Sequence, residues 1–454
     1  MSSNTLPDSA GTVIIGAGIV GNSLAYHLAD QGVEDILLVD KGPLPDPGGS
    51  TGHASNFLMP VVHGKSGLEI GYRSIEQYKE FDVFTKSGGM EVARTKEQME
   101  ENKRRVQSAK AYGGEAELLT PEEVKEKVPY INEEILEGAV YFPDAGVCDS
   151  LQFGELCRQE AKDMGALTVA PNTEVTDIFT DGRDVTGIET DSGNVDVEDT
   201  LIIAAGLWSN QLAEMAGTKI PLKPAVHQMI TVGPIKQFEE RGVEGIEDPI
   251  VRDMDNREYE RQHGSEMEVG SYSHRPMLWD IEDVPSIDEA PLSPTQPPLT
   301  EDAFEASMEH ALELMPEILD DPDAGIRHSI DGLLSMTPDG GPLVGPVKEF
   351  DNLWSVSAIW IKDAPAIAED VATWMTKGYG HIETDLEYIN IARYDEYGRA
   401  MEYVEKRSIE GFKKIYGTIH PSEQWLSGRP LRTTGFHDRL EEHDAMFFES
   451  AGWE

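Results

Sequence analysis

Cysteine is nearly absent from this chain, with Cys148 and Cys157 the only two among 454 residues. Two thiols cannot build a disulfide framework or a zinc cluster, so both are expected as small buried residues. Basic residues are scarce as well. Lys and Arg number 37 against 84 Asp and Glu, for a net charge of −47, and a surface of that sign repels nucleic acid and anionic membrane. No apolar run approaches the length of a membrane span. The opening MSSNTLPDSAG lacks the basic and apolar parts of a signal segment. A cytosolic protein without nucleic-acid or membrane partners is therefore expected. High charge often signals disorder, but a hydrophobic content of 39% and well-marked apolar strands argue against it. The acids are spread along the chain instead of gathered in a tail, as in a folded protein whose self-repulsion is screened by strong salt.

What is present begins with Thr12 to Asp40, TVIIGAGIVGNSLAYHLADQGVEDILLVD. Val13, Ile14 and Ile15 form a β-branched run that ends on Gly16, Gly18 and Gly21, after which Ile19, Leu24 and Leu28 recur at helical spacing. This reads as strand, tight turn and helix. A second apolar strand, 36–39, then stops at Asp40. Gly16 permits the turn, Gly18 lets the backbone approach a pyrophosphate, and Gly21 lets the helix pack closely on the strand. Gly18 and Ile19 offer amides at a positive helix end, and Asp40 stands where a carboxylate meets a ribose hydroxyl. The stretch predicts a dinucleotide cradle. Its acid disfavours a 2′-phosphate but does not separate NAD from FAD.

Further along, GPLPDPGGSTGHAS at 42–55 is a loop on the ligand side. Helices are predicted over 66–84, 95–112 and 151–165, with a capped helix opening at Thr120. Short strands over 167–169, 175–180, 185–190 and 195–197 lead to LIIAAGLWSN. There the strand 201–204 stops on Ala205 and Gly206, another close backbone approach at a ligand edge, and Trp208 reads as core. Strand-like pieces from 221 to 283 suggest an antiparallel substrate domain. A Pro-rich extended stretch (285–298), a helix (303–319), glycine-rich turns (329–347), a strand (353–357) and a helix (364–377) follow. The fold class is α/β. A Rossmann-like dinucleotide-binding domain, discontinuous over 10–90, 145–222 and 328–385, is interleaved with a substrate domain over 91–144 and 223–327, and 386–454 form a small C-terminal unit.

VIIGAGIVG, GGSTGHAS, IIAAGLWS, TPDGGPLVG and IWIKDAPAIAEDVA occur in the order found in the glycine-oxidase-like and D-amino-acid-oxidase-like flavoproteins. Nearly the whole chain resembles them, and most of all the flavin domain of dimethylglycine oxidase, dimethylglycine dehydrogenase and sarcosine dehydrogenase. The C-terminal 388–454 is similar to the linker domain that leads, in those enzymes, into a tetrahydrofolate-binding domain. The resemblance implies FAD as cofactor and oxidative demethylation of an N-methylated glycine by hydride transfer. It also implies an electron-transfer flavoprotein or oxygen as acceptor. A folate module would come from a separate chain, be absent, or be missing because the chain is a fragment.

In Ser50-Thr51-Gly52-His53 the resemblance implies a covalent bond from His53 to the flavin. It further implies that His227, in HQM, and Tyr259, in EYERQHG, are catalytic residues beside the substrate nitrogen. An imidazole with a pKa near 6.5 can hold the proton an amine must lose, and a tyrosine hydroxyl can orient that amine. Lys41, Val175, Trp208, Asp339, Gly340, Ile359, Trp360 and Ile361 complete the implied cofactor set, with backbone amides of the late segments facing the flavin. For the substrate carboxylate, Arg252, Arg261, His274 and Arg275 lie in one stretch, and the residues alone do not choose among them. A flavoenzyme for another amino acid or 2-hydroxy acid and a catalytically silent flavin-binding subunit both stay open. The late motifs disfavour an NAD-dependent dehydrogenase.

Overall fold

The computed structural model describes residues 6–418, 420 and 422–454. The β-branched run extends over Ser9–Ile15 and lies inside a parallel sheet, paired on one side with the apolar, fully buried Ile36–Val39 and on the other with Gly193–Ile203, whose last three residues are buried. The parallel order is Leu167–Ala170, Ile36–Val39, Ser9–Ile15, Gly193–Ile203 and Leu353–Ser357, the Rossmann arrangement with its switch point beside the first strand. Helices Ile19–Asp30, Ser150–Asp163 and Ala364–Lys377 cover one face, and both cysteines are buried there. The other face is covered by the hairpin strands Val175–Asp181 and Asp184–Thr190 and by helix Ser209–Met215. Gly193–Ile203 is one long strand where two were expected. It leaves the hairpin at its start and enters the parallel sheet at its end, and the acids at 196, 198 and 199 break only its apolar pattern.

A second sheet of eight strands faces the first unit. Its order is Gly325–Met336, Lys223–Gly233, Glu266–Ser271, Glu258–His263, Ile250–Asp253, Gly89–Ala93, Gly138–Phe142 and Glu117–Leu119. Every pairing is antiparallel except that of Ile250–Asp253 with Gly89–Ala93. The outer face packs on helices Glu301–Leu314 and Pro316–Leu319. These two helices replace the single one expected over 303–319, since Pro316 has no N–H to continue the first.

The late glycine-rich stretch also differs from expectation. Residues 325–336 run as a strand along almost the whole of Lys223–Gly233, so 328–336 belong to the second sheet and not to the dinucleotide unit. Helix Met401–Lys414, in the segment expected as a peripheral linker, sets Phe412 against Tyr272 and His274 and into one buried cluster with Tyr259 and Met336. Among the described residues no helix is long and apolar enough to cross a membrane.

Candidate active site

The turn after Ser9–Ile15 is set by steric exclusion. Gly16 has φ +109, and a Cβ on Gly21 would lie 1.8 Å from the Gly16 carbonyl oxygen, so the helix can start this close to the strand only with glycine there. Gly18 caps helix Ile19–Asp30 without a side chain of its own. Asp40 braces the turn from the next strand. Its Oδ2 accepts from the Ala17 amide at 2.6 Å and its Oδ1 from the Gly42 amide at 2.8 Å. Burial raises the Asp40 pKa and the two amides oppose that shift. Asp40 also lines a cavity of about 480 Å³, together with Gly16, Gly18, Ile19, Lys41, Val175, Ala205, Gly206 and Trp208. The Lys41 ammonium sits 3.9 Å from the centroid of a Trp208 ring, so this tryptophan, expected in the core, is a half-buried wall of the cavity.

The loop that follows ties the two sheets together. Its residues Ser50–His53 form a single helical turn. The Thr51 hydroxyl accepts from the Ile19 amide at 3.1 Å, closing on the cradle's own helix. On the other side, Ser50 Oγ (2.7 Å) and His53 Nε2 (3.2 Å) both donate to the carbonyl of Leu333 in the second sheet. That bond leaves the lone pair of neutral His53 on Nδ1. Burial pushes the His53 pKa down to about 4, so the ring is uncharged at neutral pH.

Across the cavity, one face of the second sheet carries a row of side chains in register. Glu91 lies opposite Arg252, Arg252 opposite Tyr259, Tyr259 opposite Gly270, and Gly270 opposite Met229. Two residues back from Met229, on the same face, is His227. Gly270 is the gap in the row. A Cβ there would lie 2.0 Å from Tyr259 Cζ, so the tyrosine ring lies across the glycine and stacks on His227 with centroids 5.6 Å apart and planes 9° apart. The Tyr259 hydroxyl forms a hydrogen bond with Ser55 Oγ, which fixes the ring from its far end.

His227 is 9% exposed, and its Nε2 is buried with no hydrogen-bond partner among the described residues. Burial, and to a lesser degree the neighbouring His274 and His53, lower its pKa to about 3. The sequence suggested an imidazole near 6.5 that holds a proton. Here it is a neutral ring that lines the cavity.

The structure brings His53, His227 and Tyr259 into the same cavity as the glycine cradle, with Ser50, Thr51, Ile359, Trp360 and Ile361. It does not bring Asp339 or Gly340 there. Asp339 is paired with Arg393 at 2.7 Å and accepts from the Gly341 amide, closing a turn of its own. Of the four basic candidates only Arg252 lines the cavity. Arg261 is held by Glu268 at 2.6 Å, Arg275 is an exposed partner of Asp302, and His274 donates through Nδ1 to its neighbour's carbonyl. Sequence reasoning missed Glu91, Arg105, Tyr272 and Tyr416. All but Glu91 line the cavity, and Glu91 bonds both arginines from behind. No local pattern flags them, since Glu91 meets Arg252 only through a strand pairing that spans 161 positions.

A dinucleotide cradle that opens onto a buried, neutral histidine, with apolar and aromatic walls around it, defines a dinucleotide-dependent oxidoreductase. The chain belongs to the FAD dependent oxidoreductase family, which it matches over residues 12–374, and residues 379–434 match the FAD dependent oxidoreductase central domain. Among its relatives, human mitochondrial sarcosine dehydrogenase is 29% identical over 100% of this chain and 49% of its own length. The 4-methylaminobutanoate oxidase (formaldehyde-forming) of Paenarthrobacter nicotinovorans is 30% identical over 100% of this chain and 54% of its own. The chain thus spans about half the length of these curated relatives. Among solved structures, L-proline dehydrogenase from P. horikoshii superposes with a TM-score of 0.72 at 24% identity, covering 86% of this chain and 98% of its own, which establishes a shared fold.

FAD fits the residues present. The Gly16–Gly21 turn leaves room only for backbone, the start of the helix it leads into lines the cavity, and the neutral His227 lines the same cavity.

Proposed function

We propose that this protein oxidatively demethylates an N-methylated glycine, dimethylglycine or sarcosine, taking a hydride from the N-methyl carbon. The observation that carries this reading is the stacked His227–Tyr259 pair, which lines the same cavity as the glycine cradle. FAD, when bound, supplies the hydride acceptor. Loss of hydride from the methyl carbon leaves an iminium, and water adds to it to release formaldehyde and the demethylated amine.

The chain's own residues set the nitrogen in place. Hydride can leave only when the nitrogen lone pair is free to form the C=N bond, so the substrate must react as the neutral amine. A histidine with a pKa of about 3 is too weak to strip an alkylammonium, whose pKa near 10 lies about seven powers of ten away. His227 is instead an acceptor that orients an amine N–H, or the face from which a tertiary amine enters, and it adds no second positive charge beside the nitrogen. Burial keeps the Tyr259 hydroxyl protonated well above its ordinary range, so Tyr259 is a neutral donor or acceptor held by Ser55. His53 is proposed as the tether of the flavin, since the neutral ring is the nucleophilic form.

The relative named for 4-methylaminobutanoate favours a longer N-methylamino acid as the second reading. Anaerobic mixing of holoenzyme with dimethylglycine, sarcosine and 4-methylaminobutanoate tests both. Bleaching of the flavin by the glycines at lower concentration supports the first reading, and bleaching by the longer acid supports the second. No bleaching by any of them overturns both. Yellow colour that stays with the polypeptide after acid denaturation supports the tether, and release of free flavin overturns it.

A further inference from the structure

Tyr259 is fixed in every respect but one. Its ring lies over Gly270, stacks on His227 and packs against Phe57, with centroids 4.8 Å and planes 63° apart in the last pair. The ring cannot turn without displacing one of these neighbours, so what stays adjustable is the direction of its hydroxyl hydrogen.

Ser55 sets that direction. Among the described residues its Oγ has two hydrogen-bond partners, the Tyr259 hydroxyl and the sulfur of Met229 at 3.8 Å. A thioether has no proton to give, so in that contact Ser55 donates. With its one hydrogen engaged there, Ser55 accepts from Tyr259. The donation therefore runs from Tyr259 to Ser55 to Met229, and each hydroxyl hydrogen has an acceptor. The reverse order would leave the sulfur without its bond and the tyrosine hydrogen without a partner in the protein.

The serine is presented by a fixed backbone. It lies two residues beyond His53, and the next residue, Asn56, has φ +56 while its carbonyl accepts from the Cys148 amide at 2.9 Å. Asn56 leads into the short strand Phe57–Leu58, which pairs with Gly146–Cys148. One segment of three residues thus holds both the hydroxyl of Tyr259, through Ser55, and its ring, through Phe57.

Both Ser55 and Tyr259 line the cavity. We propose that Ser55 is a positioning residue that commits the Tyr259 hydrogen away from the substrate, so that the tyrosine oxygen meets the amine as an acceptor and selects an amine that keeps an N–H. This rests on the proposed function, in which the nitrogen lone pair must be free for hydride to leave. A tyrosine that donated to that lone pair would hold the amine in its unreactive state and slow oxidation. A tyrosine that accepts leaves the lone pair alone, and it gains a bond only from a secondary amine. Neutral sarcosine and 4-methylaminobutanoate carry such an N–H, and dimethylglycine does not.

The test measures kcat and KM of holoenzyme with sarcosine and dimethylglycine, together with the rate of anaerobic flavin bleaching. Wild type is expected to prefer sarcosine in kcat/KM. Ser55→Ala releases the tyrosine hydrogen to the amine, so kcat for sarcosine should fall roughly 5- to 10-fold while KM stays level or drops, and the preference for sarcosine should shrink severalfold. Ser55→Thr keeps the hydroxyl and should behave as wild type. Met229→Leu conserves volume and removes the sulfur, so it should lower kcat in the same direction, and Ser55→Ala added to it should change little more. The assignment is overturned by a raised KM with unchanged kcat in Ser55→Ala, by equal losses in Ser55→Thr and Ser55→Ala, by no effect of Met229→Leu, or by a wild type that prefers dimethylglycine. In each of those cases the proposed function stands as long as either glycine bleaches the flavin. Should Ser55→Ala fail to hold flavin, Met229→Leu decides alone, since it leaves the loop unchanged. Failure of every amino acid to bleach the wild-type enzyme overturns the proposed function and this assignment together.

Discussion

At the glycine cradle the recognising atoms belong to the backbone, and across the cavity they belong to side chains. The cradle is made by what is missing, the Cβ atoms at Gly16, Gly18 and Gly21. The facing row, from Glu91 through Arg252 and Tyr259 to His227, is made by strand register and by one gap at Gly270. The first kind of site tolerates almost no substitution and reads the same shape in every cofactor of its class. The second can change one side chain at a time, which is how one fold serves many amines.

Breaking each side should therefore give different phenotypes. Gly21→Ala has the largest expected effect. Its methyl must displace the Gly16 carbonyl, at a cost of about 3 kcal/mol or more, and the variant should lose flavin and melt early by calorimetry. Gly270→Ala attacks the other side. It pushes the Tyr259 ring off its bed, so kcat/KM should fall by about 10²-fold while flavin content stays near wild type. His227→Gln should lower kcat/KM by a similar 10²-fold, again with flavin retained. Loss of flavin in either of these two variants would erase the distinction between the sides.

A pH series sharpens the comparison further. His227 and His53 are held neutral, with pKa values lowered to about 3 and about 4, so the unfolded chain binds their protons first. Stability conferred by the neutral rings is complete above the unfolded pKa of about 6.5 and declines as pH falls from there toward the folded values. Each ring contributes a slope that approaches about 1.4 kcal/mol per pH unit once the pH is well below 6.5, so His227→Gln should narrow the loss between pH 6.5 and pH 5.5 by about 1 kcal/mol. Identical pH profiles for variant and wild type would count against a neutral buried His227. The smallest effect lies outside both sides. Thr120→Ala removes the capping box of helix Pro121–Lys127, and should cost about 1 kcal/mol in Tm measurements with kinetics unchanged.

The cradle was legible because its physics is local. Glycines, strand and helix within 29 residues determine one another, and the Ser50–His53 loop follows directly. Strand 325–336 was not, because Gly332 and the polar residues around it resemble turns, and only pairing with Lys223–Gly233 makes them a strand. The same holds in the site. His227 and Tyr259 came from resemblance, but their stacking depends on Gly270, in the strand that follows Tyr259. The low pKa of His227 depends on burial that no spacing encodes. Asp339 and Gly340 show the converse, since a motif in the right order closed a turn with Arg393 instead of reaching the cavity.

The carbonyl of Leu333 accepts from both Ser50 and His53, while Thr51 between them holds the start of the cradle helix. A thermodynamic cycle follows from that clasp. If filling the cradle tightens the loop, it also tightens the strand that carries Leu333 and pairs with the strand of His227. By reciprocity, any ligand on the sheet side must then tighten binding on the cradle side by the same factor, so that the two halves of the cavity share a single free energy of closure.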